Sequence, residues 1–179
     1  MTISLLNAQK GNISSASSGS TAGFASTSGS TFVICVSDPN ANVTVSDNKG
    51  NTSNYVQVGT DQVLTGGAGT VTGQMWQCPN GTGGSGHTST VPFNSGTGDC
   101  AFYFLEIGDA ANPSVDTPSL VKGTDATSPF EQTTGTLAQA DNLVVAFAFN
   151  NDSALTFTAA SPLTTQLSES NVALYWTNA

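Results

Sequence analysis

Apolar residues in this chain recur at alternate positions or in short unbroken runs, and they do so in several separate stretches. The strongest is D-N-L-V-V-A-F-A-F-N at 141–150. Its length and its branched and aromatic content favour a buried strand over a helix. Successive strand side chains point to opposite faces, so Leu143, Val145, Phe147 and Phe149 share one side, and Val144, Ala146 and Ala148 the other. A large apolar face backed by a small apolar one predicts a central strand, with a core on one side and a close-lying layer on the other.

The same reading places strands at 3–8, 31–36, 70–78, 100–107, 155–159, 163–167 and 172–176. Two more, at 42–47 and 55–58, flank S-D-N-K-G-N-T and read as a hairpin, with Gly50 free to take the positive φ of its turn. Gly73 interrupts the 70–78 strand and suggests a bulge there. No window sustains a helical period. Short strands separated by turn residues, without helices between them, predict an all-β fold, an antiparallel β-sandwich of jelly-roll or immunoglobulin-like type. Residues 9–30 are dominated by Ser, Gly, Thr and Ala, with Phe24 standing out, and read as a flexible N-terminal arm. A loose edge strand around 23–27 is the alternative. The division expected is therefore an arm and first strand at 1–30 and one sandwich domain at 31–179. Two loop-like stretches interrupt the domain, at 79–98 and, dotted with prolines, at 109–132.

Charge narrows the partners. Only 8% of the residues are charged and the net charge is −9, because the sole bases are Lys10, Lys49 and Lys122. Binding to nucleic acid through phosphate neutralisation needs clustered Lys or Arg, so that partner class is excluded, and an anionic membrane surface is disfavoured likewise. No apolar run approaches the roughly 20 residues of a membrane helix. The first residues lack the basic and apolar parts of a secretory signal, so synthesis without export by that route is expected.

Four stretches carry a resemblance. They are F-V-I-C-V-S at 32–37, V-T-V-S-D-N-K-G-N at 43–51, F-L-E-I-G-D-A-A-N-P-S-V-D at 104–116 and T-G-T-L-A-Q-A-D-N-L-V-V-A-F-A-F at 134–149. Their order resembles single β-sandwich modules of phage structural proteins, of head-decoration (cement) or tail-fibre type, and of some large bacterial surface proteins. The likeness spans most of 31–157, and its motifs concern the fold rather than catalysis. It implies a non-enzymatic virion structural protein of a bacteriophage, made in the host cytoplasm and homo-oligomeric, that docks on the major capsid protein or another virion protein. Such modules close with a further strand beyond the position of Trp176, which here is expected to be short or supplied by a partner. The competing expectation is a carbohydrate-binding adhesion module that recognises a surface glycan.

Candidate chemistry is sparse, and no catalytic residue, cofactor site or metal site is nominated. Cys35 lies in an apolar run and reads as a small buried hydrophobe. Cys78 and Cys100 flank the Gly/Ser/Thr-rich loop, and two readings stand for them: a disulfide worth about 3 kcal/mol, or free thiols in a reducing cell. G-T-G-G-S-G at 81–86 matches a dinucleotide fingerprint only formally, because H-T-S-T-V-P follows where a helix should open. D-N-K-G-N lacks the ligand run of a calcium loop and reads as a turn. The pairs Asp109 with Asp116 and Asp99 with Glu106 read as turn carboxylates rather than a glycosidase pair. Trp176 is in phase with Val172 and Leu174 and belongs to the core, with Tyr175 beside it. Trp76 is out of phase with Val71 across the expected bulge and is the better exposed contact. Phe24, Trp76 and His87, the only histidine, are the candidate partner-contact residues.

Overall fold

The structure is a computed structural model and describes residues 3–14, 17–38, 43–66, 69–92, 99–108, 143–149, 164–169 and 172–178. The strands are β1 (Ser4–Ser14), β2 (Ser18–Ser20), β3 (Thr31–Asp38), β4 (Ser46–Asp47), β5 (Val56–Gln57), β6 (Gln62–Gly66), β7 (Gly69–Cys78), β8 (Ser89–Pro92), β9 (Asp99–Gly108), β10 (Leu143–Phe149), β11 (Thr164–Glu169) and β12 (Val172–Asn178). One 3₁₀ turn, Thr52–Asn54, is the only helical element among the described residues. All pairings are antiparallel, and they form a six-stranded sheet in the order β1-β9-β3-β7-β5 with β6 also on β7. Two three-stranded sheets, β10-β12-β11 and β2-β8-β4, complete the set. The chain is an all-β sandwich.

The sandwich has three layers. Along β3, Phe32, Ile34 and Val36 enter one apolar cluster, whereas Val33 and Cys35 enter another on the opposite face. In β9, Phe102 and Phe104 go with the first, and Ala101, Tyr103 and Leu105 with the second. Period-two alternation in two strands apolar on both sides thus yields a sheet buried on both faces. The β10-β12-β11 sheet covers the second face through Val145, Phe147, Phe149, Val172, Leu174, Trp176 and Leu167, and Tyr103 Oη donates to the Val172 carbonyl at 3.2 Å. Over the first face lie Val91 of β8 together with Val43, Val45, Tyr55 and Phe24.

Several expectations are corrected. The 141–150 strand exists as β10, but it is an edge of its sheet among the described residues and is half-buried throughout. The centre is β3 beside β9, whose Phe102, Tyr103, Phe104 and Leu105 are fully buried. Apolarity on both faces reports burial but does not say in which layer. The hairpin also fails: the turn forms with Gly50 at φ 83, yet β4 pairs with β8 and β5 with β7, so its arms part into different sheets. Nor is there a bulge at Gly73, since the β3–β7 register runs unbroken through it. A Cβ there would lie 2.1 Å from the Phe149 ring, so the glycine admits a close-packed aromatic of the neighbouring layer.

The described residues between 9 and 30 are tied into the fold rather than standing off as an arm. The first strand continues to Ser14 and pairs with β9 along its length, and Ile13 and Phe24 belong to the first core cluster. Backbone bonds then fasten the Ser/Gly-rich segment to the start of β8 and the loop before it: Thr21 N to Ser89 O, Phe24 N to His87 O, Ser26 N to Gly84 O and Gly29 N to Gly81 O. The strands expected at 163–167 and 172–176 appear as β11 and β12. The expected strand at 155–159 and the crossing at 109–132 lie outside the described residues.

Candidate functional site: a buried polar hub around His87

His87 sits where three segments of little regular structure meet. Gly81 and Gly83 let the chain before it run close to its neighbours, a Cβ on Gly83 lying 2.5 Å from the Thr27 backbone, and Gly86 takes a positive φ of 62 in the turn. An isolated antiparallel bridge joins His87 to Phe24. The imidazole is fully buried, with the rings of Phe32, Phe104 and Phe24 at centroid distances of 4.5, 4.9 and 5.9 Å. Its Nδ1 is 2.7 Å from Ser26 Oγ. Its Nε2 is 3.2 Å from Asp47 Oδ2, but the geometry of a hydrogen bond is not met. That second contact is proximity of charge rather than a formed bond.

Asp47 is the first of two carboxylates sealed beside the ring. Its Oδ1 accepts the backbone N–H groups of Lys49 and Asn51 at 2.9 and 3.2 Å. Its Oδ2 accepts Asn51 Nδ2 at 2.8 Å and Tyr55 Oη at 2.9 Å. Burial alone would raise the Asp47 pKa, but the bonds from Asn51, Lys49 and Tyr55 outweigh it and hold the carboxyl below its ordinary value. Asn51 extends the node by donating to Thr82 O and accepting Thr82 N–H. The Tyr55 hydroxyl is pushed up by burial and then by the Asp47 charge.

Glu106 of β9, only 1% exposed, is the second. Its Oε1 accepts Thr27 N–H at 2.7 Å and Ser30 Oγ at 3.0 Å, and its Oε2 accepts Asn7 Nδ2 at 2.6 Å. It therefore ties β1 and residues 27–30 to the central sheet. For His87, burial lowers the pKa, Asp47 opposes this, Lys49 adds to it and Glu106 opposes it. The net shift is downward, so the ring is neutral at pH 7.

Ser26, His87 and Asp47 have the composition of a nucleophilic triad, and their arrangement is that of a brace. In the acyl-transfer template the serine meets Nε2 and the carboxylate meets Nδ1; here the two are exchanged, and the carboxylate contact is misaligned. Ser26 Oγ also accepts Gly84 N–H at 3.0 Å and donates toward Gly84 O at 3.3 Å. The hydroxyl is engaged on every side, and the imidazole has no route to solvent.

The candidate contact residues fall elsewhere than expected. Phe24 and His87 come together, but inward, as parts of the core. Trp76 is half-buried against the first cluster rather than projecting from the surface, because the unbroken register of β7 turns it toward the core. Trp176 packs on the second cluster, as its phase with Val172 and Leu174 implies. With Leu5, Leu6, Asn7, Ala8 and Leu167 it lines an open cleft of ≈ 240 Å³.

No Cys78–Cys100 bridge forms: Cys78 is a buried free thiol, pushed up to about 11 by burial and by the Asp47 charge. Cys78 is level with Phe32 at one end of β3, and Cys100 precedes Ala101, which is level with Ser37 near the other. That separation is about 20 Å along the strands, far beyond disulfide reach. Cys35 is fully buried, as its apolar setting implies.

Ser26, Asn51, Asp47 and Glu106 were not singled out as a group by the sequence. The lone histidine in a chain so poor in charge was the available signal. No protein-family model, no curated protein and no solved structure matches this chain.

Proposed function

We propose that this protein is a non-enzymatic structural module of a bacteriophage particle, a decoration (cement) protein or fibre module that docks on the major shell protein or another virion component. One observation carries the reading: Asp47, Glu106 and His87, the groups best suited to chemistry among the described residues, are spent inside the fold as loop anchors. What remains outside is weakly charged and rich in Ser, Thr, Gly and Asn, with Leu6, Val56 and Val63 as its exposed large apolar residues among those described. Such a surface suits shape-matched contact with another protein, and repeated copies would bind an ordered shell with avidity. Low basicity keeps the module off packaged genome. Mass spectrometry of intact purified particles tests this. Many copies per particle are expected for decoration and a handful for a fibre, and complete absence from particles overturns the proposal.

The second reading, carbohydrate binding for host attachment, loses Trp76 as a platform but keeps the Trp176 cleft. A glycan array with the wild type and Trp176→Ala decides it, since loss of a specific signal in the variant is the outcome this reading requires.

A further inference from the structure

The elements packed around His87 differ in how firmly they are held. Strands β3 and β9 have hydrogen-bonded neighbours on both sides. Residues 21–30, by contrast, are fastened by a few separate backbone bonds, one isolated bridge to His87, and the Ser26 and Glu106 contacts. Local opening should therefore start with this segment and leave the central sheet closed.

We propose that His87 is an acid-sensitive latch: its protonation releases residues 21–30 from the 81–89 loop and uncovers the apolar surface between Phe24, Phe32 and Phe104. Burial among the phenyl rings makes the closed latch a poor receiver of a proton, and the charged groups around the ring do not make good that loss. From the turn after β4 come Asp47 and Lys49; from β9 comes Glu106; residues 21–30, the rest of the 81–89 loop and β3 near Phe32 contribute no ionisable side chain. Asp47 could compensate an imidazolium, but its two oxygens already serve four donors and lie off the Nε2 hydrogen-bond direction. Glu106 is committed to Asn7, Thr27 and Ser30. The Lys49 ammonium, held on Ser85 O at 2.8 Å, adds like charge. An imidazolium enclosed by three phenyl rings has no water to solvate it, whereas in the opened segment the ring titrates near 6.5. Proton uptake and opening are thus linked, and the linkage is independent of what the protein docks to.

Hydrogen exchange resolved by segment, at about pH 7.5 and about pH 5.5 and corrected for intrinsic exchange, tests the latch. Protection of residues 21–30 and 81–89 is expected to fall severalfold, by up to about tenfold, at the lower pH, while β3 and β9 hold theirs. In His87→Gln, which can still bond Ser26 but cannot titrate, the acid response should vanish. Unchanged protection in the wild type, or an equal acid response in His87→Gln, overturns the proposal. Should that variant fold poorly, the single histidine of the wild type still gives one imidazole resonance. A titration midpoint below the ordinary histidine value, together with the loss of protection, supports the latch; a midpoint at or above it overturns it.

Discussion

At the scale of single residues, the hub is organised by two carboxylates, Asp47 and Glu106, each held by several N–H and O–H donors. Asp47 and Glu106 are charge-neutral to the fold only in the sense that N–H and O–H dipoles surround them. Hydrogen bonds to a buried charge are worth more than neutral ones, and leaving their donors orphaned costs more than the bond itself returns. Asp47→Ala strips four donors at once, from Lys49, from Asn51 twice and from Tyr55. It is expected to lower the unfolding free energy by about 2–4 kcal/mol in urea titration. A loss below a few tenths would mean that water replaces the carboxylate freely. Cys78 gives a second test at this scale. Buried and free, with its thiol pushed up to about 11, it should resist alkylation in the native state at neutral pH and react once the protein is unfolded. Rapid native labelling, or an intact mass showing Cys78 oxidised to a disulfide, would contradict the assigned state.

At the scale of elements, the informative contact is between β7 and β10. Glycine inside a strand is ordinarily a weakness that alanine relieves. Gly73 is different because the Phe149 ring occupies the space its side chain would need. Gly73→Ala should therefore destabilise by about 1–3 kcal/mol through overpacking. Pairing it with Phe149→Leu should recover part of the loss, giving a non-zero coupling in a double-mutant cycle. Additive effects would place β10 elsewhere. The Ser/Gly-rich segment after β1 carries a related lesson. Its composition is that of a linker, yet its small side chains let its backbone approach the loop before β8 closely enough to bond it, and Glu106 and Phe24 hold it there.

For the whole molecule, acid should be the destabilising direction. His87 has a folded pKa below its unfolded value, so between the two the unfolded chain binds more protons, and stability declines as pH falls below about 6.5. Asp47 is also depressed; its contribution is intact above its unfolded value of 3.8 and disappears as pH drops through the folded one. Both act with the same sign. Calorimetry from neutral pH downward should show a first decline in Tm below about pH 6.5 and a second below about pH 4. His87→Gln should remove the first decline and leave the second. A Tm that rises on acidification across the first window would show that protonated His87 is stabilised by Asp47 rather than excluded by the phenyl rings.

By itself the sequence determined the class of fold, most strand positions and the scarcity of bases. Alternation along a strand and the count of bases are local properties, readable without knowing which neighbour a segment meets. The β3 and β9 segments were plain as apolar runs, and the inward phase of Trp176 followed from Val172 and Leu174. Only the tertiary structure decided the pairings: that β3 lies at the centre and, among the described residues, β10 at an edge, that β4 and β5 part company, and that Ile13 and Phe24 join the core. The hub was equally hidden. Ser26 and His87 are 61 positions apart, and Asn7 and Glu106 are 99 apart. Each is an ordinary polar residue in a turn or strand until packing removes the water around it, and only then does its hydrogen-bonding partner become obligatory.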